Sequence, residues 1–464
     1  MRLPSSVDAR GNAVSAASGD TVARLDATID AYLGARSNTA AQLAVVLAAE
    51  PDCAVAHCLD GYLGMLSSRD DGRARAADAL RRVRNVAARV QVTPREERHV
   101  RALDAWQHGD MRGAAHEWDL LLQDHPRDLL AIKVSQFVLS YLGESDRMLG
   151  TVARVLPAWT LDVPGYGFLL GCHAYALEEV GHYARAEATG RQAVELNPSD
   201  IWAAHAVAHV AEMEGRPHDG LAWIGEVAGH WRECNNFANH LRWHQALLLL
   251  DMERYADALE LYDHEVRRDR TDEYLDVTNA VSLLWRLEQA GIDVGDRWTE
   301  LAACARRRAD DHALVFVDLH YLMALAAARD SAAVDRFLDS CERFARGRST
   351  EAEVMREVGL PAARAVRAHR AGAYGDVVRL LVPVRHHLRR IGASHAQRDL
   401  FDQLLIDAAW RAPEPRVAVE LLAERTAHRP RNLWGWRHYA AVLDALGAPG
   451  AVDAWRQVEQ LRGR

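Results

Sequence analysis

Apolar residues recur at three- and four-residue spacing along nearly the whole chain, with Arg, Asp and Glu filling the opposite faces. That period is the signature of amphipathic helices. Ala, Leu, Arg and Glu dominate, and alternating β-branched runs are missing, so almost nothing reads as strand. Pro and Gly fall at regular intervals, as punctuation between helices. Gly109, Gly143, Gly181 and Gly215 are 34, 38 and 34 residues apart. Pro126 and Pro198 each follow a turn glycine by 17 residues, in HPRD and NPSD.

This spacing is the tetratricopeptide (TPR) frame: about 34 residues, a turn glycine, a small residue five later and a proline closing the second helix. GHYARAEATGRQAVELNPSD fits it, with Gly181 as the turn, Ala186 and Ala193 as small packing positions, and Pro198 as the stop. Alanine at those positions lets two antiparallel helices approach and each pair stack on the next. The predicted fold is therefore all-α, an α-α superhelix of TPR-like hairpins that a chain of 464 residues is long enough to curl around a central pocket. It is read as one body over residues 1–464. Residues 1–90 form a helical cap, 91–265 the clearest repeats, and 274–464 degenerate ones. The charged stretches Arg268 to Asp276 and Arg346 to Glu351 are expected to be loops.

Several segments carry a more specific resemblance. They include TPREERHVRALDAWQHGD, HEWDLLLQDHPRDLLAIK, AHAVAHVAEMEGRPHDGLAWI, NHLRWHQALLLLDMERYADALELYD, ADDHALVFVDLHYLMAL and GASHAQRDLFDQLLI. In this order, from about Asp26 to Asp407, they resemble the tetratricopeptide repeat protein 38 family. The resemblance implies an all-helical TPR-like fold and an intracellular protein. It implies no particular chemistry.

Chemistry enters with the histidines, of which there are 22. Set in the repeat frame, His205, His209 and Glu212 occupy positions 5, 9 and 12 of a first helix, the groove-facing stripe. The next first helix repeats the pattern with His240 and His244, and Trp243 between them. Adjacent first helices are neighbours in the stack, so four histidines and a carboxylate are expected to converge. Imidazole and carboxylate suit a divalent transition metal such as Zn, Fe or Mn, with His205, His209, His240 and His244 as ligands. The same five residues would otherwise act as acid–base groups. Residue 206 is Ala, so the HExxH zincin pattern is absent. The competing reading of each histidine is a hydrogen bond between helices.

Tyr175 and Glu178 sit at groove positions 9 and 12 of the preceding repeat and are candidates to complete the pocket. Asp318, His320, His395 and Arg398 are further ligand-binding candidates. For Arg398 a structural Arg–Asp network is the stronger alternative to an anion clamp.

Composition then trims the possibilities. Formal net charge is −9, and no Arg run forms a basic face, so no nucleic-acid partner is expected. The longest apolar stretch, Tyr321 to Ala328, is too short to span a bilayer, so no membrane partner is expected. Of the 56 basic residues only Lys133 is Lys, as the coding bias of a GC-rich bacterial genome produces. A P-loop is thereby excluded, and any lysine chemistry has to use Lys133. Six cysteines without a C-x-x-C pair, and no apolar leader, read as reduced thiols of a cytoplasmic protein. Oligomeric state is left open, a homodimer included. The expected function is ligand binding, of a peptide or small molecule, in the concave groove through the His/Glu site. The alternative is a metal-dependent or His/Glu acid–base enzyme acting on a small molecule in an enclosed pocket.

Overall fold

The computed structural model describes residues 5–16, 18–413 and 415–463. Within them, 25 α-helices follow one another as antiparallel hairpins. The clearest pairs are Pro94–Gln107 with Met111–Asp124, Leu129–Tyr141 with Ser145–Val155, Tyr166–Glu179 with Tyr183–Leu196, and Ile201–Met213 with Pro217–Val227. All four turn glycines of the repeat frame adopt positive φ: +85° at Gly109, +66° at Gly143, +81° at Gly181 and +62° at Gly215. That left-handed backbone ends each first helix and turns the chain into the second.

Caps set the helix starts. Asp110, Asp128, Asp200 and Asp330 each accept a backbone N–H of the first turn. Thr93 with Glu96 and Ser394 with Gln397 form reciprocal capping boxes. Small residues set the stacking. Ala186 and Ala193 are fully buried, and a Cβ on Gly190 would meet Val207 Cγ2 at 2.6 Å.

The superhelix closes on itself. Thr350 N–H donates to Gly109 O at 2.9 Å, and Arg112 pairs with Glu353 at 3.1 Å. Further along, His395 N–H donates to Glu179 Oε1 at 3.1 Å, and Arg437 pairs with Glu253 at 2.8 Å. The C-terminal hairpins thus lie across successive first-helix ends of the N-terminal half. The N-terminal hairpin closes from another direction, with Ser37 N–H to Glu233 O at 3.0 Å and Asn235 N–H to Ala35 O at 2.8 Å.

Two departures from the sequence reading concern the edges of elements. Ser5–Val7 and Ala13–Ser15 form a small antiparallel hairpin, with Ser6 opposite Val14. It forms because Asp8 accepts from the backbone N–H of Arg10 and Asn12, and Gly11 takes φ +88°. The two charged stretches are shorter loops than expected, since helices begin at Tyr274 and Thr350.

Candidate metal centre and its cavity

The helix Ile201–Met213 is apolar almost all round, and every residue in it is buried. Asp200 fixes its start by accepting from Trp202 N–H and Ala203 N–H, both at 3.1 Å. His205 and His209 therefore project on one stripe, one turn apart. The helix Phe237–Asp251 packs beside it and presents His240 and His244 in the same way. His205 Nε2 lies 2.9 Å from His209 Nε2 and 3.1 Å from His240 Nε2. One ring nitrogen from each of the four histidines lies within 4.8 Å of every other.

The outer nitrogens are held by a second layer. His244 Nδ1 donates to Glu212 Oε2 at 2.9 Å, and His240 Nδ1 donates to Asn279 Oδ1 at 3.0 Å. His209 Nδ1 stands 3.3 Å from Glu178 Oε2. The first two contacts place the protons of His240 and His244 on Nδ1 and leave their Nε2 lone pairs free. His205 has one proton if neutral, so its Nε2 satisfies at most one of its two close neighbours. A cation at the centre removes the remaining repulsion between lone pairs. Imidazole nitrogens bound to one ion at about 2.0–2.1 Å stand about 3–3.5 Å apart, close to the separations present.

Electrostatics agree with neutral, metal-competent imidazoles. Burial, reinforced by the neighbouring histidines, holds His205, His240 and His244 well below the usual histidine range. His209 is the exception. Burial opposes its charge, but the carboxylates of Glu178, Glu212 and Glu179 outweigh that and raise it. Glu212 is itself raised by burial, against the pull of His209, Arg429 and Arg286. It borders a small polar cavity with Asp251, Arg286, Asp399, Arg425 and Arg429.

On the other side, His205 and His240 form part of the wall of a larger cavity of about 250 Å³. Phe137, Tyr141, Tyr175, Trp202, Phe237 and Tyr274 give that wall its aromatic character. Tyr175 stacks on His205 at 5.6 Å between ring centres, and Trp243 stacks on His240 at 5.2 Å.

The remaining sequence candidates are dispersed. Trp243 is fully buried behind His240 and does not line the larger cavity. Glu178 backs His209. His395 Nε2 donates to Glu179 O at 2.8 Å, and Arg398 donates to the backbone oxygens of Gly392 and Ala393 while facing Glu179 at 3.4 Å. His320 donates from Nδ1 to Phe316 O at 2.7 Å, and burial pushes its pKa down to about 3. Asp318 pairs with His312 Nδ1 at 3.1 Å. Neither Asp318 nor His320 joins the four-histidine cluster. Sequence reasoning missed Asn279, whose signal was a lone amide in the mostly apolar stretch Val277 to Leu287. It also missed that Lys133 lines the larger cavity. The repeat frame does mark that position: Lys133 stands ten residues before Gly143, as His205 stands ten before Gly215, which is groove position 5.

No family model matches the chain. Among solved structures it is similar to human IFIT1 in a dimer with PPP-AAAA, at 12% identity, covering 89% of this chain and 91% of that one, with a TM-score of 0.41. It is also similar to human IFIT1 in a dimer with m7Gppp-AAAA, at 13% identity, 89% and 90% coverage and a TM-score of 0.38. Naa15/Naa10 bound to HypK-THB matches at 12% identity, 94% and 68% coverage and a TM-score of 0.23. At these identities the likeness concerns the TPR-like helical fold alone. It does correct one expectation. The human IFIT1 structures are solved with PPP-AAAA and m7Gppp-AAAA, which runs against the expectation that nucleic acid is no partner.

Proposed function

We propose that this chain binds a divalent transition metal through His205, His209, His240 and His244 and presents it to a small molecule held in the adjoining aromatic cavity. The observation that carries this reading is the inward convergence of ring nitrogens at 2.9 and 3.1 Å, backed by Glu212, Asn279 and Glu178. Carboxylate and amide partners on the outer nitrogen are what a metal-ligating histidine uses to fix its tautomer and raise its basicity. A bound ion there would supply Lewis-acid or redox chemistry. The protein's residues orient the ring nitrogens, exclude bulk water and shape the cavity.

The cavity volume of about 250 Å³ is of small-molecule size and supports a small molecule over an extended peptide. An enzyme follows from this reading more directly than a passive scaffold, because the ligand set is buried beside a cavity of substrate size. The resemblance to the tetratricopeptide repeat protein 38 family and the six free cysteines support membership of that family and a cytoplasmic setting.

Elemental analysis of protein purified without an affinity tag tests the metal. About one ion per chain is expected, lost in the His205→Ala, His240→Ala double variant while its circular dichroism is unchanged. Metal-free native protein that takes up no Zn, Fe or Mn on incubation would overturn the reading. Titration with a peptide or with a triphosphorylated oligonucleotide checks the competing occupants.

A further inference from the structure

The one lysine of the chain is inside the cavity. Lys133 belongs to the helix Leu129–Tyr141, and its side chain is 4% exposed. Its Nζ lies 3.6 Å from the centre of the Trp202 ring and 5.1 Å from that of Phe137. Among the described residues it has no hydrogen-bonded or ion-paired partner. Burial lowers its pKa from the usual lysine range, with Cys172 and Asp200 opposing that. Asp200 is not a committed counter-ion. Its Oδ1 is used on the helix start, its Oδ2 has no partner, and burial pushes its pKa up to about 7. A buried ammonium supported only by ring faces is expensive unless an anion completes it.

The same wall carries other polar atoms without partners: Tyr32 Oη, Trp202 Nε1 and His205 Nδ1. The separation of Lys133 Nζ from the Trp202 ring, 3.6 Å, and of that ring from His205, 5.4 Å, keeps the ammonium within about 9 Å of the His205 ring. One small molecule spans that distance.

We propose that Lys133 anchors the carboxylate of a small aromatic acid, whose ring lies among Phe137, Tyr175 and Trp202 and whose far end reaches His205 and His240. The ammonium supplies the charge and the ring faces supply the apolar bed. The proposal rests on the metal-and-cavity reading above and names the class of ligand it takes. Lys133 is the specificity-determining group, because a neutral analogue of the same shape leaves the buried charge uncompensated.

The test uses phenylacetate and its neutral isostere phenylacetamide as probes, titrated calorimetrically into metal-loaded full-length protein. Phenylacetate should bind at least tenfold more tightly than phenylacetamide. Lys133→Gln should abolish that preference, and Lys133→Arg should keep part of it. Equal binding of acid and amide, binding of neither, or an unchanged preference in Lys133→Gln overturns the proposal. If Lys133→Gln does not fold, the comparison of acid with amide on the native chain decides alone. Metal content is measured on the same samples. Acid preference without metal would sink the metal reading and leave this one standing. Metal without acid preference does the reverse.

Discussion

His209 Nε2 faces His205 Nε2 at 2.9 Å across one turn of a single helix, and His240 Nε2 approaches the same atom at 3.1 Å. These three close ring nitrogens, with His240 held from behind by Asn279 and His209 facing Glu178, are the geometry on which the metal proposal rests. The second layer is as informative as the first, since Glu212 and Asn279 decide which nitrogen each ring turns inward.

Glu212→Gln keeps the shape of that layer and removes its charge. Metal affinity should fall about 10–100-fold, as for other outer partners of ligating histidines. Competition with a chromophoric chelator measures this. Unchanged affinity would mean that Glu212 serves the neighbouring charge network and not the histidines.

That network makes its own prediction. Asp399 accepts from both terminal guanidinium nitrogens of Arg425, at 2.6 and 3.0 Å, with both side chains buried. Asp399→Ala leaves Arg425 charged and unpaired, and should cost about 3–5 kcal/mol in urea unfolding. A cost near zero would show that Arg429 or solvent takes over.

The turn glycines separate backbone strain from collision. Gly181 has φ +81° with nothing near a would-be Cβ, so Gly181→Ala should cost about 1 kcal/mol. Gly143 has φ +66°, and its Cβ would strike the carbonyl of Arg389. Gly143→Ala should therefore cost clearly more, because it also pushes apart the two halves of the closed superhelix. Thermal melts of the two variants side by side give the comparison. Equal losses would contradict the closure.

The pH dependence has a separable contribution from Glu351. Burial, helped by Asp318, pushes its pKa up to about 8 against the hydrogen bond from Val315 N–H. Between the unfolded carboxyl range and about pH 8, the native state holds a proton that the unfolded state has lost. This contribution is present below about pH 4.3 and declines as pH rises toward 8, by up to about 1.4 kcal/mol per unit. Glu351→Gln should remove the decline, so that the variant melts higher than the native chain at pH 8. Parallel melting curves from pH 6 to 9 would refute it.

Much of this was legible because a repeat fixes register. Gly109, Gly143, Gly181 and Gly215 announced the hairpins, and the frame then put His205, His209, His240 and His244 on neighbouring groove stripes. Closure of the superhelix was not legible in detail. It depends on contacts such as Glu179 with His395, more than 200 residues apart in sequence and without local pattern. The same long-range packing redirected candidates. Arg398 reads in sequence as an anion clamp, yet its guanidinium is spent on the backbone of Gly392 and Ala393. Lys133 is legible both as the sole lysine and as groove position 5 of its repeat, but its seat on the Trp202 ring comes from the fold.

X-ray absorption at the metal edge of the native, untagged protein tests the central claim most directly. The account predicts about four nitrogen neighbours at about 2.0–2.1 Å, with the outer-shell pattern of imidazole rings, and loss of that pattern in the His205→Ala, His240→Ala variant. An oxygen-dominated shell, or a signal unchanged in the variant, would contradict it.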